Sequence, residues 1–98
     1  MLYGIRWSAS ARRQIAALRA ADRSSLNLAI VRCLCDQPGR ISRHRKRVRE
    51  NPIAPYELRV GVFRVFYDID ERARVVVISA VGRKLRDTVR IDGEEVEL

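Results

Sequence analysis

Two cysteines and one histidine are all the thiol and imidazole groups in this chain of 98 residues. Cys33 and Cys35 stand two apart in a helical pattern, so their side chains point in different directions. That geometry is poor for a disulfide and for a shared ion. With no other cysteine and only His44, a zinc site lacks donors, and the thiols read as buried structural groups. Long apolar runs are missing as well: none approaches the roughly 18 residues of a membrane span. The opening MLYGIRWSAS has no signal-peptide core. The chain is therefore expected in the cytoplasm, without a membrane partner. A P-loop, a dinucleotide fingerprint, a Ser/His/Asp set and a paired-carboxylate metal site are all lacking, so neither cofactor nor metal is expected.

Acidic residues are scarce in the first half. Met1 to Arg49 holds twelve Lys and Arg against Asp22 and Asp36, a net of +10. Glu50 to Leu98 holds eight basic against ten acidic residues, a net of −2. The basic half should attract a polyanion such as RNA, or an acidic protein. The plain alternative, arginine as the preferred surface cation, does not explain the crowding after Arg40.

What is present reads as one domain over residues 1–98, with hydrophobic content of 47% and enough length for a modest core. Leu2 to Trp7 alternates as an opening strand. Ser8 is an N-cap candidate, with Ala11, Ile15 and Leu18 on one helical face. Asp22 or Ser24 starts a second helix carrying Leu26, Ile30, Cys33 and Leu34, and Pro38-Gly39 ends it. The two helices are expected to form an antiparallel hairpin on one face of a later sheet. Arg40 to Pro55 reads as a loop, with a short turn or an extended piece near Val48, and carries six of the twenty basic residues.

Three strands follow in YELRVGVFRVFYDID and RVVVISAVGRK, where apolar side chains alternate at period 2. A tight turn centred on Val60-Gly61 would set Glu57 opposite Arg64 on an open face, with Tyr56, Leu58, Phe63 and Val65 beneath the helices. In that arrangement the pair either only assists the hairpin or holds a cation for an anion. Gly82 would let the chain turn and bring Arg83, Lys84 and Arg86 towards that face. Asp92-Gly93 marks a terminal hairpin. The expected fold class is α+β, in the order β-α-α-β-β-β(-β), with a mainly antiparallel sheet.

Leu58, Arg59, Val60, Gly61, Phe63, Arg64, Val65, Tyr67, Asp70, Val75 to Val77 and Val81 to Lys84 together resemble the C-terminal half of RelE/ParE toxins, the toxic members of bacterial toxin–antitoxin pairs. The helical half fits by layout and length only. The resemblance implies a cognate antitoxin that neutralises the basic surface and through which oligomers form. It implies an activity of one of two kinds. The first is ribosome-dependent, metal-independent cleavage of mRNA, which inhibits translation. The alternative is a ParE-like toxin that binds DNA gyrase and cuts nothing, or a degenerate member without toxicity.

In RelE-like nucleases the arginine matching Arg64 lies at the cleavage site, and the position matching Lys84 meets the scissile phosphate. The catalytic expectation is therefore Arg64, Lys84, Arg59 and Glu57, where fixed cations would stabilise charge on phosphorus-bound oxygens. RNA binding would fall to Arg43, His44, Arg45, Lys46, Arg47, Arg83 and Arg86. Two departures stand against cleavage. The RelE-like lysines are replaced on the strand of Glu57, and the C-terminal tyrosine has no counterpart near Thr88 to Ile91.

Overall fold

The computed structural model describes residues 2–42, 44–47 and 53–97. Strand β1 (Gly4–Trp7) leads through Ser8 into helix α1 (Ala9–Ala16) and helix α2 (Ala20–Leu34). Six strands follow: β2 (Arg45–Arg47), β3 (Tyr56–Val60), β4 (Phe63–Asp70), β5 (Val75–Lys84), β6 (Thr88–Ile91) and β7 (Glu94–Glu97). They form one sheet in the order β2-β3-β4-β5-β6-β7, and β1 joins β5 in parallel. The expected α+β layout, with both helices on one face of a mainly antiparallel sheet, holds. No helix among the described residues is long and apolar enough to cross a membrane.

Ser8 is the N-cap, accepting from the Ala11 amide at 3.0 Å. Helix α2 starts at Ala20, earlier than Asp22, which sits in its first turn where a carboxylate favours the helix dipole. It presents Leu26, Ile30 and Leu34 to the sheet and ends at Leu34, four residues before Pro38. The early stop has a chemical cause: the Arg45 guanidinium donates to the carbonyls of Cys33 and Gln37, at 3.0 and 3.2 Å. Pro38 is buried, and its carbonyl takes the Tyr67 hydroxyl at 2.8 Å. Burial raises the pKa of that phenol strongly.

The main core joins Ala11, Leu26, Ile30 and Leu34 to Leu58, Val65, Tyr67, Val76 and Ile78. A smaller cluster of Ala54, Phe66, Ala80 and Val89 lies on the other face, with Ile53 and Ile91 against it. The face opposite the helices is thus partly covered, not open as the strand pattern implied. Cys33 and Cys35 are free thiols and only half-buried.

Two expectations about connections are refined. Val48 itself lies outside the described residues, but just before it the basic stretch holds β2, paired antiparallel with β3 so that Arg45 meets Leu58 and Lys46 meets Glu57. Its strand signal is faint because all three residues are cations, while backbone pairing needs no apolar side chain. The β3–β4 turn is one residue later than expected. Val60 pairs with Phe63, so Gly61 and Val62 form the turn. Gly61 has φ of 56°, as the first central residue of a two-residue II′ hairpin demands. The terminal hairpin is as expected, with Asp92 and Gly93 at φ of 54° and 80°.

Strand β5 carries an extra residue. Tyr67 pairs with Ile78 but Phe66 pairs with Ala80, leaving Ser79 as a bulge. Along the same stretch β5 changes its other neighbour from β1 to β6. Side chains and the cap residue bridge the change. The Ser8 amide donates to the Ile78 carbonyl at 2.9 Å, and its hydroxyl to the Ser79 carbonyl at 3.0 Å. The Val81 amide donates to Gln14 Oε1 at 2.8 Å, while Gln14 Nε2 donates to Asp92 at 2.9 Å. Gln14→Leu would keep the volume and remove the acceptor. A partly buried amide left unsatisfied costs ~1–3 kcal/mol, so the melting temperature should drop by about 5 °C or more. An unchanged melt would show that water replaces the Gln14 carbonyl.

Candidate functional site

The residues expected to act together lie on the β3–β4 hairpin and the end of β5. Pairing of Arg59 with Arg64 and of Glu57 with Phe66 puts Glu57, Arg59, Arg64 and Phe66 on the face away from the helices. Leu58, opposite Val65, anchors the strands from the core side.

Glu57 is the centre of this group and is only 3% exposed. Its Oε2 takes Arg59 Nε at 3.2 Å, and its Oε1 lies 3.5 Å from Arg64 Nε. The Glu57–Arg64 contact was expected, but it runs diagonally, since Arg64 stands opposite Arg59. The buried Nε–H of Arg64 reaches Glu57 at ion-pair distance without hydrogen-bond geometry. Nη1 of Arg64 donates to the carbonyls of Gly61 and Phe63, at 2.7 and 2.8 Å. The Arg64 side chain is 12% exposed, against 46% for Arg59. Loss of water around Arg64 lowers its pKa, Glu57 opposes that shift, and Arg59 adds to it.

Gly82, opposite Arg64, explains the covering. It lies inside β5 and does not turn the chain, contrary to the expectation. A Cβ there would meet Val89 at 2.6 Å, Ile91 at 2.7 Å and the Arg90 carbonyl at 2.8 Å. The bare glycine thus lets β6 close over the strand beside Arg64.

The bulge at Ser79 separates the cations that follow. Arg83 pairs with Phe63 and so lies on the helix-bearing face, its guanidinium carbon 5.2 Å from the Phe63 ring centroid. Lys84 comes out on the face of Arg64, half-buried, with its amide donating to the Val62 carbonyl at 2.7 Å. Arg86 is exposed in the turn before β6. Arg83, Lys84 and Arg86 therefore do not converge on one face as the linear run implied.

The loop cations divide in the same way. Arg45 is held by α2 and by Ser42, whose Oγ it meets at 3.2 Å. His44 is exposed, and its carbonyl takes the Arg59 amide at 2.7 Å. Lys46 lies opposite Glu57, on the face of Arg59. Arg47 stands opposite Tyr56 in β2, and Arg43 is outside the described residues. Among the described residues, no three His, Cys, Asp or Glu side chains gather to hold a metal. Sequence reading missed Gln14 and Phe63 as contacts of the cation-bearing strands, because neither carries a local signal for a partner far along the chain.

Removing Glu57 should expose how the group is balanced. Glu57→Ala leaves Arg64 buried without its counter-charge, and breaking such a pair costs about 3 kcal/mol or more. Arg59→Ala removes a half-exposed partner and should cost under ~1 kcal/mol. Urea unfolding of both variants checks the ranking, and equal midpoints would refute it.

A family model described as the ParE toxin of the type II toxin-antitoxin system, parDE, matches residues 5–88. A chain of the toxin–antitoxin complex RelBE2 from Mycobacterium tuberculosis is similar in structure, with a TM-score of 0.74 and 25% identity over 86% of this chain and 93% of that one. The free E. coli toxin RelE, solved as an arginine double mutant, shares the fold at a TM-score of 0.68. Its identity is 22%, over 85% of this chain and 84% of that one. Among curated proteins, none matches the chain.

Proposed function

We infer the activity from one premise: this chain belongs to the ParE toxin family of type II toxin–antitoxin systems. It is a toxin of such a pair, and its partner is a cognate antitoxin. Of the two activities the resemblance implies, the ParE-like one is favoured here. The toxin would bind DNA gyrase and block it, with no cleavage of RNA by its own side chains.

One observation carries this reading. The Glu57 carboxylate lies within 3.5 Å of both Arg59 and Arg64, and it is itself buried. Arg64 spends its Nη1 on two carbonyls of its own hairpin. A cation neutralised and covered in this way stabilises the fold, and has little field left for a phosphate in a transition state. The strand that would need lysines presents this carboxylate instead. The family match points the same way. The nuclease reading keeps two supports: Lys84 and the half-exposed Arg59 lie on the same face as Arg64, and the similar solved structures are RelE toxins.

The test is induction of the toxin with two readouts. Supercoiling by purified gyrase should be inhibited and DNA damage should rise, while translation and ribosome-bound mRNA stay intact. Arg64→Ala, which leaves Glu57 paired only with Arg59, should lower stability by more than it lowers gyrase inhibition per folded molecule. Cleavage of mRNA on the ribosome with supercoiling unaffected would overturn the proposal and restore the nuclease reading.

A further inference from the structure

The sheet ends in two strands of opposite charge. Its path runs from β2 to β7, so these two are the outer strands among the described residues. β2 is Arg45-Lys46-Arg47, three cations. β7 is Glu94-Glu95-Val96-Glu97, with three carboxylates. Charge on an edge strand normally keeps a sheet from pairing with its own copies, because like charges would meet. That protection holds here for β2 against β2 and for β7 against β7. It fails for β7 against β2.

The backbone suits that contact. All five pairings along the path are antiparallel. β7 therefore runs opposite to β2, and a second copy in the same orientation brings its β2 antiparallel to β7, with the helices of both copies on one side. Ile91 and Glu94 close a two-residue I′ turn and so exchange backbone hydrogen bonds. By antiparallel alternation, Glu95 and Glu97 turn their N–H and C=O groups away from β6. On β2, the Arg59 amide donates to the His44 carbonyl at 2.7 Å, so Lys46 bonds towards β3 while Arg45 and Arg47 turn their backbone outward. The Ser42 amide already donates to the Arg45 carbonyl at 2.9 Å, so the contact centres on Arg47. Glu95 and Arg47 also occupy matching positions. Glu95 stands opposite Arg90 and Arg47 opposite Tyr56, both on the helix-bearing face of the sheet.

We propose that copies of this chain associate head to tail: β7 of one copy pairs with β2 of the next, setting Glu95 opposite Arg47 and Val96 opposite Lys46. The contact is heterologous. It leaves one edge of each kind open at the ends, so the assembly grows with concentration instead of stopping at two. Few residues take part and each copy carries a net charge of +8, so the association is weak and reversible. It stands whether the toxin's target is gyrase or RNA.

The experiment is sedimentation equilibrium of the purified full chain over a concentration series. A contact this small has a Kd on the order of 100 µM, and the average mass should keep rising above that concentration. Glu95→Pro removes one outward N–H and no bond to β6, and should weaken association about tenfold. Reversing β7 with Glu94→Lys, Glu95→Lys and Glu97→Lys together should give a monomer. Added to the parent, that monomer should shorten its assemblies, since its β2 caps the parent's β7 and nothing can follow. Thermal melts establish that each variant is folded. Hydrogen exchange needs no variant: in the parent, the Glu95 and Arg47 amides should exchange several-fold more slowly in the concentrated sample than in the dilute one. A parent that stays monomeric at every concentration, stops at a dimer, or associates with those amides unprotected would overturn the proposal. So would a folded Glu95→Pro that assembles as the parent does, or a folded β7-reversed variant that leaves the parent's assemblies unchanged.

Discussion

One extra residue in β5 governs where the charges of this molecule lie. Without the bulge at Ser79, strict alternation would continue Val76 and Ile78 into Ala80 and Gly82 on the helix-bearing face. With it, Val81 joins the main core, while Ala80 meets Phe66 on the opposite face. Every residue beyond inherits the exchange. Arg83 is sent to Phe63, and Lys84 to the side of Arg64. The irregularity is tolerated because α1 satisfies the backbone beside it through Ser8 and Gln14. Helix, bulge and charge placement thus form one unit.

On the far face, burial decides what the cations are worth. Arg64 and Arg59 share the carboxylate of Glu57 on the face where Ala54, Phe66, Ala80 and Val89 cluster. A charge withdrawn from water must be paired, and the pairing that makes Arg64 tolerable there also blunts it as an anion receptor. The helix-bearing face behaves in the opposite way. Arg83 rests on an aromatic ring, which orients the cation without cancelling its charge. The more exposed arginine, not the more rigid one, keeps its field.

The basic stretch after Arg40 shows how local composition misleads. Six cations in a row of sixteen look like a surface for a polyanion. Yet Arg45 is drawn into the body by the Cys33 carbonyl in the last turn of α2 and by the Gln37 carbonyl just beyond it. The same corner holds Tyr67, whose hydroxyl takes the Pro38 carbonyl and whose ring stacks on Tyr56 at 5.3 Å. Charge counting sees a cation and cannot see which carbonyl it will find.

The sequence alone determined the opening strand, the two helices, the order and alternation of the three central strands, and the family, because these depend on period, capping and short turns that residues close in the chain carry themselves. Ser8 at the N-cap and Asp92-Gly93 in the terminal hairpin were legible for that reason. The Glu57–Arg64 contact was legible in kind, though its pairing was two residues out, because Gly61 fits either position of the turn until the strands pair. What only the tertiary structure decided was side and cover: the bulge at Ser79, the pairing of Arg45–Arg47 with β3, the separation of Arg83 from Lys84, and the burial of Arg64. These depend on hydrogen bonds and packing between elements, such as Gln14 with Val81 across 67 residues and Gly82 with the neighbouring strand β6. No local pattern encodes a backbone group's distant partner, and that partner determines which way every following side chain points.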